Sequence, residues 1–261
     1  MIQRVVDIVK RASALMVTEG FDIKEKDGCT NIVTSSDVAV QEFLCRELAR
    51  LLPDSGFICE EEDVHQANRQ YVWIIDPIDG TTNYARGTEF CCISVALKKD
   101  NDIVLGAVYS PGRNQLFTAE KGRGAFCNGK PIHVSLRPFS DALFFTALSQ
   151  YRKEYANVCS AIIMEAYHSC NDVRRVGSAA LELCLIATGA YEMFFEMRLQ
   201  PWDYAAGMLV LQEAGGCICS HDGYLPGFDA PHLICAANTT ANLDRLLSII
   251  RRHLPEVPYK D

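Results

Sequence analysis

The chain has 261 residues, 49% of them hydrophobic, enough to bury a large core as one domain or as two closely packed halves. Its net charge of −8 arises from 25 basic against 33 acidic residues with no lysine or arginine run longer than two, which argues against nucleic acid as a partner. Charges interrupt the N-terminus every few residues, and no segment approaches the roughly 20 apolar residues of a membrane span. The expectation is a soluble, unprocessed chain with no membrane partner.

Residues 1–19 place Ile2, Val5, Val6, Val9, Ala12 and Met16 at helical spacing, with Gly20 as a stop. A turn-rich loop, KEKDGCTN, leads to IVTSSD, and VAVQEFLCRELARLL then resumes the helical period up to Pro53, which sets Asp37 at a helix start. FIC is a short strand followed by the acidic run EEED at 60–63. YVWIID is β-branched, aromatic and apolar on both faces, the pattern of a central strand. FCCISVALKK, DIVLGAVYS and QLFTAEKG follow as an antiparallel meander. KGRGAFCNGKP has three glycines after a strand but opens no apolar helix, which speaks against a dinucleotide-binding turn. Beyond about residue 140 the pattern alternates: LFFTAL, KEYANVCSAIIMEAYHS, VRRVG, SAALELCLIATG, YEMFFEM, YAAGMLVLQEAGG and CICS, then HLICAAN and the closing helix TTANLDRLLSIIRRHL. That alternation predicts an α/β second half.

Twelve cysteines include no CxxC pair, and most lie within apolar runs, as Cys184 does in LELCLIATG. Buried reduced thiols behave as small hydrophobes, so the expected location is cytoplasmic. Cys217, Cys219 and His221 in CICSH are the local exception, a spacing that admits a metal site.

The stretch YVWIIDPIDGTTN sets Asp76 and Asp79 three residues apart where a buried strand emerges. Pro77 fixes its own φ and holds Asp76 extended, predicting a stiff turn; Gly80 permits positive φ, and Thr81 and Thr82 offer hydroxyls and N–H groups at a helix start. Converging carboxylates without a nearby lysine or arginine repel unless a hard cation lies between them. Each acid also has a plain reading. Asp76 and Asp79 suit a turn or cap, Glu60 and Glu61 a solvated run, Asp37 and Asp203 an N-cap, and Glu196 an exposed strand position. Oxygen ligands from several elements, with no histidine nearby in sequence, suit Mg²⁺ better than Zn²⁺.

Taken together these segments resemble the inositol monophosphatase family, Mg²⁺-dependent, lithium-sensitive phosphatases that also include fructose-1,6-bisphosphatases and nucleotide 3′-phosphatases. The resemblance runs from Lys26 to Gly216. WIIDPIDGTTN and PWDYAAGMLVLQEAGG match the two family signatures, while FICEEE and NIVTSSD resemble its Glu-Glu and metal-proximal aspartate segments. It implies an α+β fold, a layered αβαβα sandwich forming one catalytic domain over 1–261. Within it, 1–138 would supply an antiparallel sheet and most metal ligands, and 139–261 an α/β half with Asp203 and the substrate side.

Carried over residue by residue, the resemblance implies that Glu60, Asp76, the carbonyl of Ile78, Asp79 and Asp203 surround two or three Mg²⁺ ions. Mn²⁺ would substitute, and Li⁺ or Ca²⁺ would inhibit. Asp37 and Thr81 would position and activate the attacking water, supported by Glu61. Gly80 and Thr81 would present N–H groups to the phosphate. Gly177, Ser178, Ala179 and Glu196, with Asp79 and Asp203, would contact the substrate. Departures are small: Cys59 stands where glycine is usual, Ser178 where threonine is common, and 147–175 matches weakly.

The expected reaction is direct in-line attack of water on a small phosphorylated substrate. Glu196 matches a family glutamate that hydrogen-bonds a cyclitol hydroxyl, which favours inositol monophosphate over histidinol phosphate, fructose-1,6-bisphosphate or adenosine 3′,5′-bisphosphate. A silent scaffold would have lost a metal carboxylate, and all are present. A homodimer is expected from the family's habit.

Overall fold

In the computed structural model, which describes residues 1–17, 20–25, 32–61 and 69–254, the first amphipathic segment forms α1 (Ile2–Ser13), shorter than the expected 1–19. A small hairpin follows, β1 (Ile23–Glu25) paired with β2 (Ile32–Thr34), of which Lys24 and Glu25 belong to the KEKDGCTN stretch read from sequence as loop. The rest of that loop, including Lys26, lies outside the described residues, as do Glu62 and Asp63 of the acidic run. Thr34 then caps α2 (Ser35–Leu51) through a reciprocal capping box with Asp37, which satisfies backbone N–H groups that the first turn would leave unpaired.

Next come β3 (Gly56–Cys59), β4 (Tyr71–Asp79), the short α3 (Thr81–Ala85), β5 (Cys92–Lys99), β6 (Asp102–Ser110), β7 (Gln115–Glu120), β8 (Ala125–Cys127) and β9 (Lys130–Ile132). They form a seven-stranded sheet in that same order, antiparallel throughout except for the parallel β3–β4 pair. The last two strands were not among the elements read from the sequence. Asn128 and Gly129 both take positive φ, the requirement of a tight hairpin turn, and the Asn128 side chain accepts the Leu116 N–H at 2.9 Å.

The second half contributes β10 (Leu143–Thr146), α4 (Ala156–Tyr167), β11 (Asp172–Arg174), α5 (Ala179–Ala187), β12 (Met193–Leu199), α6 (Pro201–Glu213), β13 (Cys217–Cys219), β14 (His232–Ala237) and α7 (Thr240–His253). Its five-stranded sheet has the order β11-β10-β12-β14-β13 and is mixed: β10 runs parallel to β11 and β12, whereas β14 opposes both β12 and β13. The helix–strand alternation was read correctly; the reversal at β14 is the departure from a wholly parallel sheet.

Strand alternation explains how the layers stack. In β4, Trp73 and Ile75 turn toward α1 and α2, joining Val5, Val9, Val40, Leu44 and Leu48, while Val72 and Ile74 turn toward α5 and α6. The outer face of the second sheet, with Phe144, Phe195 and Cys235, packs on α4 and α7. The order is therefore helices, sheet, helices, sheet, helices, an αβαβα sandwich. The middle helices are apolar all round because both faces are covered: every residue of α5 is buried, and in α6 so is every residue from Tyr204 to Leu211. Each large apolar side chain buried this way contributes about 1.5–3 kcal/mol relative to exposure.

Close approach demands small residues at one contact. A Cβ added at Gly106 on β6 would lie 2.8 Å from the Ala206 carbonyl oxygen of α6, closer than packed atoms tolerate. Gly106→Ala is expected to destabilise the fold by about 1–3 kcal/mol, read as a lowered Tm in thermal denaturation; an unchanged Tm would show that the α6–β6 contact yields freely.

Candidate metal and substrate site

Four parts of the chain bring acids to one end of the larger sheet, the start of α2, the ends of β3 and β4 and the start of α6, and the turn before α5 meets them with Ser178. The buried run of β4 continues past Asp76 instead of turning at Pro77, as the sequence reading expected. The β4–β5 register slips between Asp76 and Asp79, forming a bulge that absorbs proline's missing N–H. Asp76 Oδ1 accepts the Ile78 N–H at 3.0 Å, and the Ile78 carbonyl accepts the Thr81 hydroxyl at 3.0 Å. Gly80 takes φ +88°, and an added Cβ there would stand 2.9 Å from the Phe90 carbonyl oxygen, so both conformation and space call for glycine.

Asp37 is wholly buried and is the third residue of α2, not its cap. Its Oδ2 accepts the Thr34 N–H at 2.8 Å, and its Oδ1 lies 3.3 Å from the Thr81 hydroxyl. Asp203 holds the matching place on α6, where it accepts the Gln200 N–H at 2.7 Å and Pro201 takes the first turn. Asp79 is fixed from the other side: Ser178 Oγ and the Ala180 N–H both donate to its Oδ2 at 2.8 Å. Thus Ser178 and the Gly177 to Ala179 turn do meet the acidic segment. Glu60 donates its backbone N–H to Ile75 O at 3.3 Å, and Glu61 is buried with its N–H on Gln41 Oε1 at 2.9 Å.

The electrostatics are those of a shared, crowded space. Burial, then the charges of Glu60, Asp79 and Asp203, push the Asp76 carboxyl well above the usual range; a hydrogen bond with Glu60 acts in the same direction. Asp203 is raised by burial and by Asp79 and Glu60. Asp79 is pushed up to about 6 by burial, against hydrogen bonds from Ser178, Ala180 and Cys92. None of the leading influences on these three is a lysine or arginine. Among the described residues no group of three or more acidic, histidine or cysteine side chains is already arranged to hold an ion. Carboxylates plus one backbone carbonyl, with neither imidazole nor thiolate in the set, fit a hard divalent cation.

Glu196 is half-buried on β12, not an exposed strand residue, and burial followed by Glu182 pushes it up to about 8. The Cys217, Cys219 and His221 cluster does not assemble: Cys217 meets Thr240, Cys219 pairs across the sheet with Cys235, and His221 meets Ser220.

Several residues near the site escaped the sequence reading. Asn83 donates to the carbonyls of Phe90 at 2.7 Å and Val176 at 2.8 Å, clamping the α3 segment to the turn that carries Ser178. Glu182 is buried and accepts the Val176 and Gly177 N–H groups at 2.6 and 3.0 Å, fixing that same turn. Tyr151 is 60% exposed, yet burial of its ring and the fields of Glu60, Asp203 and Asp76 raise its phenol, which sets it at the acidic rim. Asn83 ends the GTTN stretch and Gln41 lies one turn beyond Asp37, signals present in the sequence; nothing local marks Glu182 or Tyr151.

Comparison with known proteins agrees with this geometry. The profile of the inositol monophosphatase family matches residues 2–254. A Xylella fastidiosa protein named Nus factor SuhB is 37% identical over 202 residues, 76% of this chain and 70% of that one. An inositol-1-monophosphatase of Rhizobium meliloti is 33% identical over 230 residues, 87% and 86% of the two chains. The crystal structure of the extragenic suppressor protein suhB from Bartonella henselae superposes with a TM-score of 0.88 at 29% identity, covering 97% of this chain and 98% of that one. With its family signatures, its five-layer fold and these matches, the chain belongs to the inositol monophosphatase family.

Proposed function

We propose that this chain hydrolyses a phosphate monoester in a Mg²⁺-dependent reaction, with inositol monophosphate as the substrate. The observation that carries the reading is the gathering of buried Asp76 and Asp79 with half-buried Asp203 and Glu60 in one shared field where no basic side chain is a leading influence. Membership of the family and the Rhizobium meliloti relative's name support the choice of reaction and substrate. A second reading, a scaffold without turnover, draws on the relatives named Nus factors; retention of every expected carboxylate speaks against it.

Glu60, Asp76, Asp79, Asp203 and the Ile78 carbonyl would hold the metal, and Glu61 would support it or the water from behind. When bound, Mg²⁺ neutralises phosphate charge and acidifies water, the largest need in a reaction whose catalysed and uncatalysed rates differ by up to ~10²¹. Asp37 and Thr81 handle the proton. With its hydrogen turned toward Asp37 Oδ1, 3.3 Å away, the Thr81 oxygen accepts from the attacking water and orients it in line with the scissile bond. The Gly80 and Thr81 N–H groups face the phosphate in this reading, and Ser178, Ala179 and Glu196 flank the alcohol. Free thiols at all the described cysteines suit a cytoplasmic location. No helix among the described residues is long and apolar enough to cross a membrane. A homodimer belongs to the same proposal, with sedimentation or light scattering as its check.

Asp79→Asn keeps an oxygen for Ser178 and Ala180 but removes a charge, so the fold should survive while kcat falls about 100-fold or more at saturating Mg²⁺. Near-normal turnover would count heavily against the assignment.

The raised carboxyls also predict a pH effect with a definite sign. Folded Asp79 titrates near 6, above its ordinary value, so folding takes up protons and stability declines as pH rises through that window. A divalent cation displaces those protons. The increase in Tm produced by Mg²⁺ should therefore grow from pH 5 to pH 8, with proton release visible as buffer-dependent heat in calorimetry; a pH-independent increment would defeat the cation site.

For the substrate side, Glu196→Gln should raise KM for inositol monophosphate about 5- to 10-fold and leave KM for a simple aryl phosphate unchanged. Equal effects on both would remove Glu196 from the alcohol contact, and a panel of phosphate esters including histidinol phosphate and the two bisphosphates would then identify the substrate.

A further inference from the structure

Helix α2 carries Asp37, Gln41 and Cys45 at successive positions four residues apart, on one face. Each meets a different part of the acidic end of the sheet. Asp37 lies 3.3 Å from the Thr81 hydroxyl, Gln41 accepts the Glu61 N–H at 2.9 Å, and Cys45 Sγ stands 3.7 Å from Cys59 Sγ. Cys59 is the last residue of β3 and immediately precedes Glu60 and Glu61. Its sulfur is buried at 3% residue exposure, whereas Cys45 is half-buried and reachable from outside.

We propose that Cys45 and Cys59 form a redox modification site, joined by a hydroperoxide into a disulfide that weakens the hold of the β3 end on a divalent cation. The coupling to cation binding rests on the metal-dependent reading given above; formation of the bond does not. The Cys45 thiolate attacks a peroxide oxygen, the O–O bond breaks, and Cys45 becomes a sulfenic acid as alcohol or water leaves. The Cys59 thiol then attacks that sulfur, and as the S–S bond forms its proton passes to the departing hydroxide, which leaves as water. Two thiols lose two electrons and one hydroperoxide gains them. A dithiol reductant reverses the step.

The two sulfurs must close from 3.7 Å to about 2.05 Å. Helix α2 resists displacement, since Val40, Leu44 and Leu48 are wholly buried beneath it. Cys59 is the last β3 residue paired with β4, opposite Ile75, and the next residue, Glu60, donates its N–H to Ile75 O over a long 3.3 Å. Drawing Cys59 toward α2 therefore displaces the adjoining Glu60 relative to Asp76 on β4. Cys219 and Cys235 make an internal control. They also face each other across paired strands, but both are buried, at 3% and 0% exposure, and neither adjoins the acidic segments.

The test treats the full chain with hydrogen peroxide, maps peptides without reduction, and measures Mg²⁺ affinity by calorimetry alongside phosphatase activity. The expected result is a Cys45–Cys59 linked peptide, Mg²⁺ binding weakened about 10-fold, and recovery of both affinity and activity with dithiothreitol. Cys45→Ser, folded and active before treatment, should show neither the link nor the loss. No linked peptide, or linkage at Cys219–Cys235 instead, overturns the site; a Cys45–Cys59 link with unchanged Mg²⁺ affinity overturns its effect on the cation. A reduced protein that neither binds Mg²⁺ nor hydrolyses any ester sinks the phosphatase reading, and the peptide map still decides whether the pair is joined.

Discussion

Carboxylates buried side by side repel, and burial of each charge away from water adds a cost that grows as the surroundings become less polar. Asp76 experiences both, from its own desolvation and from Glu60, Asp79 and Asp203. A chain tolerates such an arrangement only when the rest of the fold holds it in place. Here the restraint is local and specific: each of the four aspartates is tied by N–H or hydroxyl donors from its own segment or a neighbouring one. Thr34 serves Asp37, Ile78 serves Asp76, Ser178 and Ala180 serve Asp79, and Gln200 serves Asp203. These donors set the directions of the oxygens before any cation arrives.

The layered architecture supplies the rigidity behind those donors. Asp37 and Asp203 occupy equivalent places in two helix starts, one on each side of the larger sheet, where the positive end of each helix favours an anionic side chain. Between them the β4 strand, buried on both faces, delivers Asp76 and Asp79 through a bulge. Asn83 and Glu182 add a second level of restraint, since both hold the 176–178 turn and through it the Ser178 contact with Asp79. The 176–178 turn and the β4 carboxylates are therefore coupled by short hydrogen bonds.

The acids were legible in the sequence because their surroundings have a local signature. YVWIIDPIDGTTN announces a buried strand that ends in charge, and PWDYAAG announces a helix start after proline. Burial of YVWIID on both faces, the positive φ of Gly80 and the helix beginning at Thr81 all follow from that local chemistry. What failed was whatever depends on distant partners. Pro77 looked like a turn because its effect on the chain is local, whereas the bulge that accommodates it exists only against β5. The Asn128–Gly129 hairpin was present as an NG pair but passed over while the glycines were weighed as a nucleotide loop. Glu182 resembles any acid in an apolar helix until the fold sets it 2.6 Å from the Val176 N–H.

The alcohol side has a charge logic of its own. Burial, then the charge of Glu182, pushes Glu196 up to about 8; burial pushes Glu182 up to about 8 as well, against the Val176 and Gly177 N–H groups, and the field of Arg175 moderates both. A carboxyl titrating there carries a proton much of the time at neutral pH, so it can donate to a sugar or cyclitol oxygen as well as accept from a hydroxyl. Such a surface suits an uncharged polyol. A second phosphate placed beside Glu196 would raise its carboxyl further, while Arg175 is exposed and its guanidinium is engaged by Gln150 at 3.1 Å. Under the proposed reading, which sets Glu196 against the alcohol, this asymmetry favours a monophosphate of a polyhydric alcohol over a bisphosphate.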